Sequence, residues 1–281
     1  MSDLSSLALE STAQPQLPIH WYFDPKIYEL EKRILFDAGP AYMGHDLMVP
    51  NQGDFHSLAW LGDSRALVRG ETDDFSGCQF HHVDIDEYDC NWKTFIEVYL
   101  EDYHVEPFHP GLGNFVDVNN LRWQFGHWYS VQTCGVSRSL AKPGSAVYRR
   151  WHDQVLRYNE GKEPAHGAIW LTYFPNIMVE WYPHSLVIST IVPRGPEACT
   201  NVVEFYYPED IALFEPEFVE AEQAAYRETA VEDMEICARM TEGRRALMHQ
   251  GISETGPYQS PMEDGMRHFH EFLRREIGAH L

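Results

Sequence analysis

The run NWKTFIEVYLEDYHVEPFHP, Asn91 to Pro110, sets two histidines among carboxylates in an aromatic-rich segment. At 3.6 residues per turn, Trp92, Phe95, Ile96, Tyr99 and Tyr103 form an apolar surface. Glu97, Glu101 and His104 fall at i, i+4 and i+7 and form a separate ridge. Pro107 cannot continue a helix, and the residue before a proline is biased out of the helical region. The helix is therefore expected to fray just after His104, with His109 returning from the loop. Two histidines delivered from a helix end and the turn after it can meet on one ion and leave its other side open.

Working outward, Asp24-Pro25 reads as an N-cap followed by proline at the first helical position, and Ile27, Leu30, Ile34 and Leu35 continue an amphipathic helix. LAWLGDSRALV, Leu58 to Val68, reads as two short strands around a Gly-Asp turn. RGETDDFSG, Arg69 to Gly77, is a polar breaker, and Val83 and Ile85 mark a strand entering the His104 helix. Beyond it the pattern turns to strands: Leu121–Ser130, Ala168–Phe174, Ile177–Tyr182, Leu186–Val192 and Asn201–Tyr207. Short connections between them imply an antiparallel sheet. Helices follow over Pro216 to about His249 and Met262–Ile277, so the class is α+β.

Composition sets the limits. The 281 residues are enough for a sizeable core, and 44% hydrophobic with 14% aromatic content describes a globular chain. A formal charge of -22 argues against nucleic acid and against anionic membrane surfaces. Cys78, Cys90, Cys134, Cys199 and Cys237 are widely spaced, with no Cys-x-x-Cys pair, so neither a disulfide framework nor a structural zinc site is indicated. The first residues lack a basic stretch followed by an apolar run, and a cytoplasmic location is expected.

An ion held by two histidines needs a carboxylate to complete the facial set used by mononuclear non-haem iron. The long C-terminal helix offers Glu215, Glu217, Glu220, Glu222, Glu228, Glu232, Asp233 and Glu235. Most read as a solvated face. Asp233 has Tyr226, Ala230, Cys237 and Met240 at i−7, i−3, i+4 and i+7, which places it in the apolar stripe, whereas Glu235 reads as exposed. A carboxylate in such a stripe is costly unless it is paired or bound to metal, so Asp233 is the candidate third ligand.

Glu101-Asp102-Tyr103-His104, four residues, then His109-Pro110, together with Glu232-Asp233-Met234-Glu235-Ile236-Cys237, resembles the Rieske-type non-haem iron oxygenases, the ring-hydroxylating oxygenase α subunits. The likeness runs from about Asp84 to the C-terminus. It implies a helix-grip (Bet v1-like, START-like) antiparallel sheet wrapped around a long C-terminal helix. It also implies Fe(II) bound by His104, His109 and Asp233. Glu101 matches the carboxylate that links the iron site to an incoming electron carrier. The implied partners are a small organic substrate, aromatic compounds among them, a reductase or ferredoxin donor, and two further copies in a homotrimer.

The chain departs from the family in one respect. A Rieske [2Fe–2S] cluster takes two Cys and two His from Cys-x-His and Cys-x-x-His. No Cys-x-His occurs, and only Cys78-Gln-Phe-His81 fits the second half. The expected organisation is a flexible arm at residues 1–17, a remnant of the Rieske domain without cluster ligands at 18–77, and a catalytic domain at 78–281. The expected function is O2-dependent hydroxylation or demethylation with electrons from an external source. The alternatives are a non-catalytic helix-grip binding protein and an inactive oxygenase subunit.

Overall fold

Strand β9 (Ala198–Pro208) is the most enclosed element of the sheet, buried at every position from Cys199 to Tyr207. In the computed structural model, which describes residues 15–39, 55–57, 66–68, 78–137, 144–253 and 255–281, it pairs with β3 (Cys78–Tyr88) on one side and β8 (Ser185–Gly195) on the other. The sheet continues through β7 (Ile177–Tyr182), β6 (Ala168–Tyr173) and β5 (Tyr129–Val136) to β4 (Val116–Phe125). All of these pairings are antiparallel. A separate pair joins β1 (Phe55–Ser57) to β2 (Ala66–Val68).

Seven α-helices lie among the described residues: α1 (Pro25–Glu31), α2 (Trp92–Tyr99), α3 (Val105–Phe108), α4 (Ala146–Tyr158), α5 (Glu209–Phe214), α6 (Pro216–His249) and α7 (Asp264–Ile277). The 34-residue α6 is held against the sheet by side chains that cross between them. Tyr226 packs its ring on Phe205 of β9 at 5.2 Å, its hydroxyl meets Ser189 of β8, and Tyr207 of β9 bonds Glu222. Phe218, Val219 and Ala225 of α6 enter one apolar cluster, and Ile236 and Cys237 enter the other, so the helix runs through both halves of the core. This is the α+β helix-grip arrangement that the sequence implied.

Several elements differ from the sequence reading. The single strand expected over Leu121–Ser130 is the tip of the β4–β5 hairpin, where Gly126 N–H donates to the Tyr129 carbonyl at 2.8 Å. A Cβ at Gly126 would sit 2.2 Å from the Tyr129 ring, so a side chain there would have to displace that ring. The first strand of the small pair precedes Leu58, and residues 58–65 lie outside the described residues. Helix α4, capped by Ser145 Oγ accepting from Tyr148 N–H at 3.1 Å, had no counterpart in the sequence reading. Of the expected N-terminal arm, residues 1–14 lie outside the described residues, and Leu17 is buried in the core.

Helix α1 starts as expected, with Asp24 accepting from Lys26 N–H at 2.8 Å. Its C-terminal Glu31 takes Lys93 Nζ at 2.7 and 2.8 Å and Trp92 Nε1 at 2.9 Å. Asn91 caps α2 through Lys93 N–H. The Asn-Trp-Lys triplet is thus a structural clamp between α1 and α2.

Candidate metal centre

Helix α2 stops five residues before the sequence reading placed its end. Asp102 N–H turns away from the helix to the Met262 carbonyl at 3.1 Å, and Glu101 accepts from Tyr103 N–H at 2.8 Å. Both bonds compete with continuation of the helix. Chain 105–108 then forms the single turn α3, with His104 at its N-terminal boundary and His109 at its C-terminal one. Pro107 is tolerated because an N–H in a first helical turn has no intrahelical acceptor. The common ridge expected for Glu97, Glu101 and His104 is therefore absent. Glu97 is buried elsewhere, accepting from Tyr22, Arg244 and His270.

One donor atom from each of His104, His109 and Asp233 lies within 4.8 Å of the others. Asp233 Oδ1 is 3.1 Å from His109 Nε2 and 3.6 Å from His104 Nε2. The opposite ring nitrogens are also occupied. His104 Nδ1 bonds Glu101 Oε1, and His109 Nδ1 meets Glu232 Oε2 at 2.7 Å. Each ring is thereby oriented with Nε2 toward the same point, the arrangement in which an outer carboxylate fixes the tautomer of a metal-binding imidazole. Asp233 keeps 27% of its side chain exposed, toward the cavity described below. Glu232 had been grouped with the solvated acidic face, so its role was missed.

Electrostatics favour this grouping. Burial works against a charged His104, but its bonds to Asp233 and Glu101 outweigh that and lift it to about 10. His109 is raised in the same way against burial by Asp233 and Glu232. Burial alone would raise Asp233, yet the two histidines hold it below the usual carboxylate range. These three residues could hold one divalent cation.

The triad forms part of the wall of a cavity of about 830 Å³, mouth included, between the sheet and α6. Its lining includes Glu180 of β7 and Glu222 of α6, each 3% exposed. Among the strand tryptophans, Trp170 lines it, Trp123 abuts Gly265, and Trp181 is 43% exposed. No helix among the described residues is long and apolar enough to cross a membrane.

Residues 72–279 match the model of the ring hydroxylating alpha subunit (catalytic domain). A putrescine 2-hydroxylase of Ralstonia nicotianae is 46% identical over 361 aligned positions, covering 98% of this chain and 99% of that protein. A second putrescine 2-hydroxylase, from Bordetella bronchiseptica, is 40% identical, with 99% and 88% covered. Among solved structures, a quaternary ammonium Rieske monooxygenase superposes with a TM-score of 0.53 at 14% identity. That match covers 73% of this chain but only about half, 51%, of the solved one. The chain belongs to the ring-hydroxylating, Rieske-type oxygenase α-subunit family, through its catalytic domain.

Proposed function

We propose that the chain is an oxygenase subunit that hydroxylates a small organic substrate at an Fe(II) held by His104, His109 and Asp233. The observation that carries this reading is the convergence of both Nε2 atoms on Asp233 Oδ1, with both Nδ1 atoms held by carboxylates. Two imidazoles and one carboxylate with open positions form the donor set of mononuclear non-haem iron(II). Iron bound there would supply oxygen activation, which no side chain provides. His104 and His109 would offer neutral Nε2 atoms, with their Nδ1 protons held on Glu101 and Glu232. Glu101, 12% exposed, is also the link toward an electron donor outside the chain. The cavity walls limit water and fix which carbon faces the centre. The two putrescine 2-hydroxylases favour an aliphatic amine over the aromatic substrate expected from the family as a whole.

A Rieske cluster does not fit the residues present, because Cys78 and His81 offer two ligands where four are needed. The 361 positions aligned with the Ralstonia protein, against 281 residues here, leave at least 80 positions of that relative without a counterpart. We read this as loss of most of the cluster-bearing domain, with 18–77 its remnant and 78–281 the catalytic domain. The same loss favours a second reading, a helix-grip protein that keeps ligand binding without turnover.

Metal analysis of protein purified without oxygen tests the assignment. About one iron per chain, lost in His104→Ala and in Asp233→Ala, is the expected result. No iron after Fe(II) reconstitution would overturn it and leave the binding-protein reading. With NADH and a reductase, this polypeptide alone is expected to show no steady product formation. Sustained hydroxylation coupled to oxygen uptake would disprove the need for an external cluster.

A further inference from the structure

The described residues lining the cavity include the carboxylates of Glu101, Asp102, Glu180, Glu222 and Asp233, and no Lys or Arg is among those described residues. One divalent ion at the triad would leave Glu180 and Glu222 without a cationic partner among the described residues. They reach one another through α6: Tyr226, one turn after Glu222, donates to Glu180 Oε1 at 3.2 Å. Tyr182 donates to Glu180 Oε2 at 2.8 Å and Ser189 to Oε1 at 3.4 Å. Glu222 accepts from Tyr207 and from Ser185, the latter at 3.4 Å. A separate observation concerns Asn201 of β9, which lines the same cavity, is 3% exposed, and has a side-chain carbonyl without a hydrogen-bond partner. A buried acceptor of this kind calls for a hydrogen-bond donor, which an ammonium group supplies together with positive charge. The aromatic side chains of Tyr99, Tyr182 and Trp170 also line the cavity, and aromatic rings favour a neighbouring cation.

Resting on the reading of this cavity as the oxygenase active site, we propose that Glu180 is the counter-ion for a primary ammonium group of the substrate. In the same proposal, Glu222 supplies the second negative charge that makes a small aliphatic diamine preferred over a monoamine. A quaternary ammonium group fits less well, because it has no N–H to give to Glu180 or to Asn201. Burial pushes both glutamates up to about 7, against the hydroxyl bonds that lower them, which is the mark of carboxylates lacking a positive partner.

Anaerobic titration calorimetry at pH 8 with 1,4-diaminobutane, 1-aminobutane, 1,4-butanediol and tetramethylammonium tests this on the full chain. The diamine is expected to bind tightest, and the diol and tetramethylammonium weakest. Glu180→Gln is expected to weaken both amines by at least about tenfold, the scale of losing one partner of a buried charge pair. Glu222→Gln is expected to narrow the preference for diamine over monoamine. Diol or tetramethylammonium binding as tight as the diamine would overturn the proposal on the wild-type protein alone, whatever the variants do. Unchanged diamine affinity in folded Glu180→Gln would overturn it too. Absence of iron alongside intact diamine selectivity would sink the oxygenase reading and leave this inference standing.

Discussion

Glu101 and Glu232 come from different elements, one from the loop before His104 and one from α6, and each holds the Nδ1 of a different histidine. Such outer carboxylates orient the ring and raise its basicity as a ligand. Glu232→Gln is therefore expected to weaken Fe(II) or Zn(II) affinity by about 10–100-fold, measured by chelator competition, with an unchanged far-UV spectrum. Periodicity could single out Asp233, because its neighbours one and two turns away are mostly apolar. It could not single out Glu232. Adjacent helix positions face different ways, and what recruits Glu232 is His109, which lies 123 residues away in sequence. Asp102, next to Glu101 in the histidine loop, is pushed up to about 7 by burial and accepts from Gln132 Nε2 at 2.6 Å.

At the scale of elements, α1 and α2 depend on one buried pair. Lys93 and Glu31 are both fully buried, and burial lowers the lysine. Removing one partner of such a pair costs about 3–5 kcal/mol, because the other charge remains buried. Glu31→Ala is expected to lower the unfolding midpoint in denaturant accordingly, whereas a joint Glu31→Leu, Lys93→Met replacement should recover most of the loss. Strands β6 to β9 were legible in the sequence because β-branched and aromatic runs mark them directly. The β4–β5 turn was not, since its break is a single Gly126 inside a run of strand-forming residues. Helix α2 was read too long because its stop signal is a bond from Asp102 to Met262, a partner no local window contains.

Taken as a whole, the molecule keeps a cavity that costs stability when nothing cationic is in it. For Glu180 and Glu222 the folded value, about 7, lies above the ordinary 4.5. Folding therefore favours their protonated forms. The associated destabilisation begins as pH rises past 4.5 and is complete above 7, on the order of 3 kcal/mol for each group. In the absence of ligand, Glu222→Gln is expected to melt several degrees above wild type at pH 8 and close to it at pH 4.5, by thermal denaturation. Glu97 has the opposite sign. Burial would raise it, but Arg244, His270 and Tyr22 together hold it at about 2, so the stability it contributes is present above 4.5 and is lost as pH falls toward 2.

Glu222, Tyr226 and Asp233 all belong to α6, so that helix works as a ruler laid along the cavity. At about 1.5 Å per residue, Tyr226 stands roughly 10 Å and Glu222 roughly 16 Å from Asp233 along the axis. Inserting one residue between Tyr226 and Asp233 would swing the two about 100° apart, and only whole turns, about 5.4 Å each, keep them on one face. Insertions and deletions in this helix are thus too coarse a scale for adjusting reach by a single carbon. In this scaffold, fine changes of substrate length must be written in the side chains of β7 and β8 that face the helix.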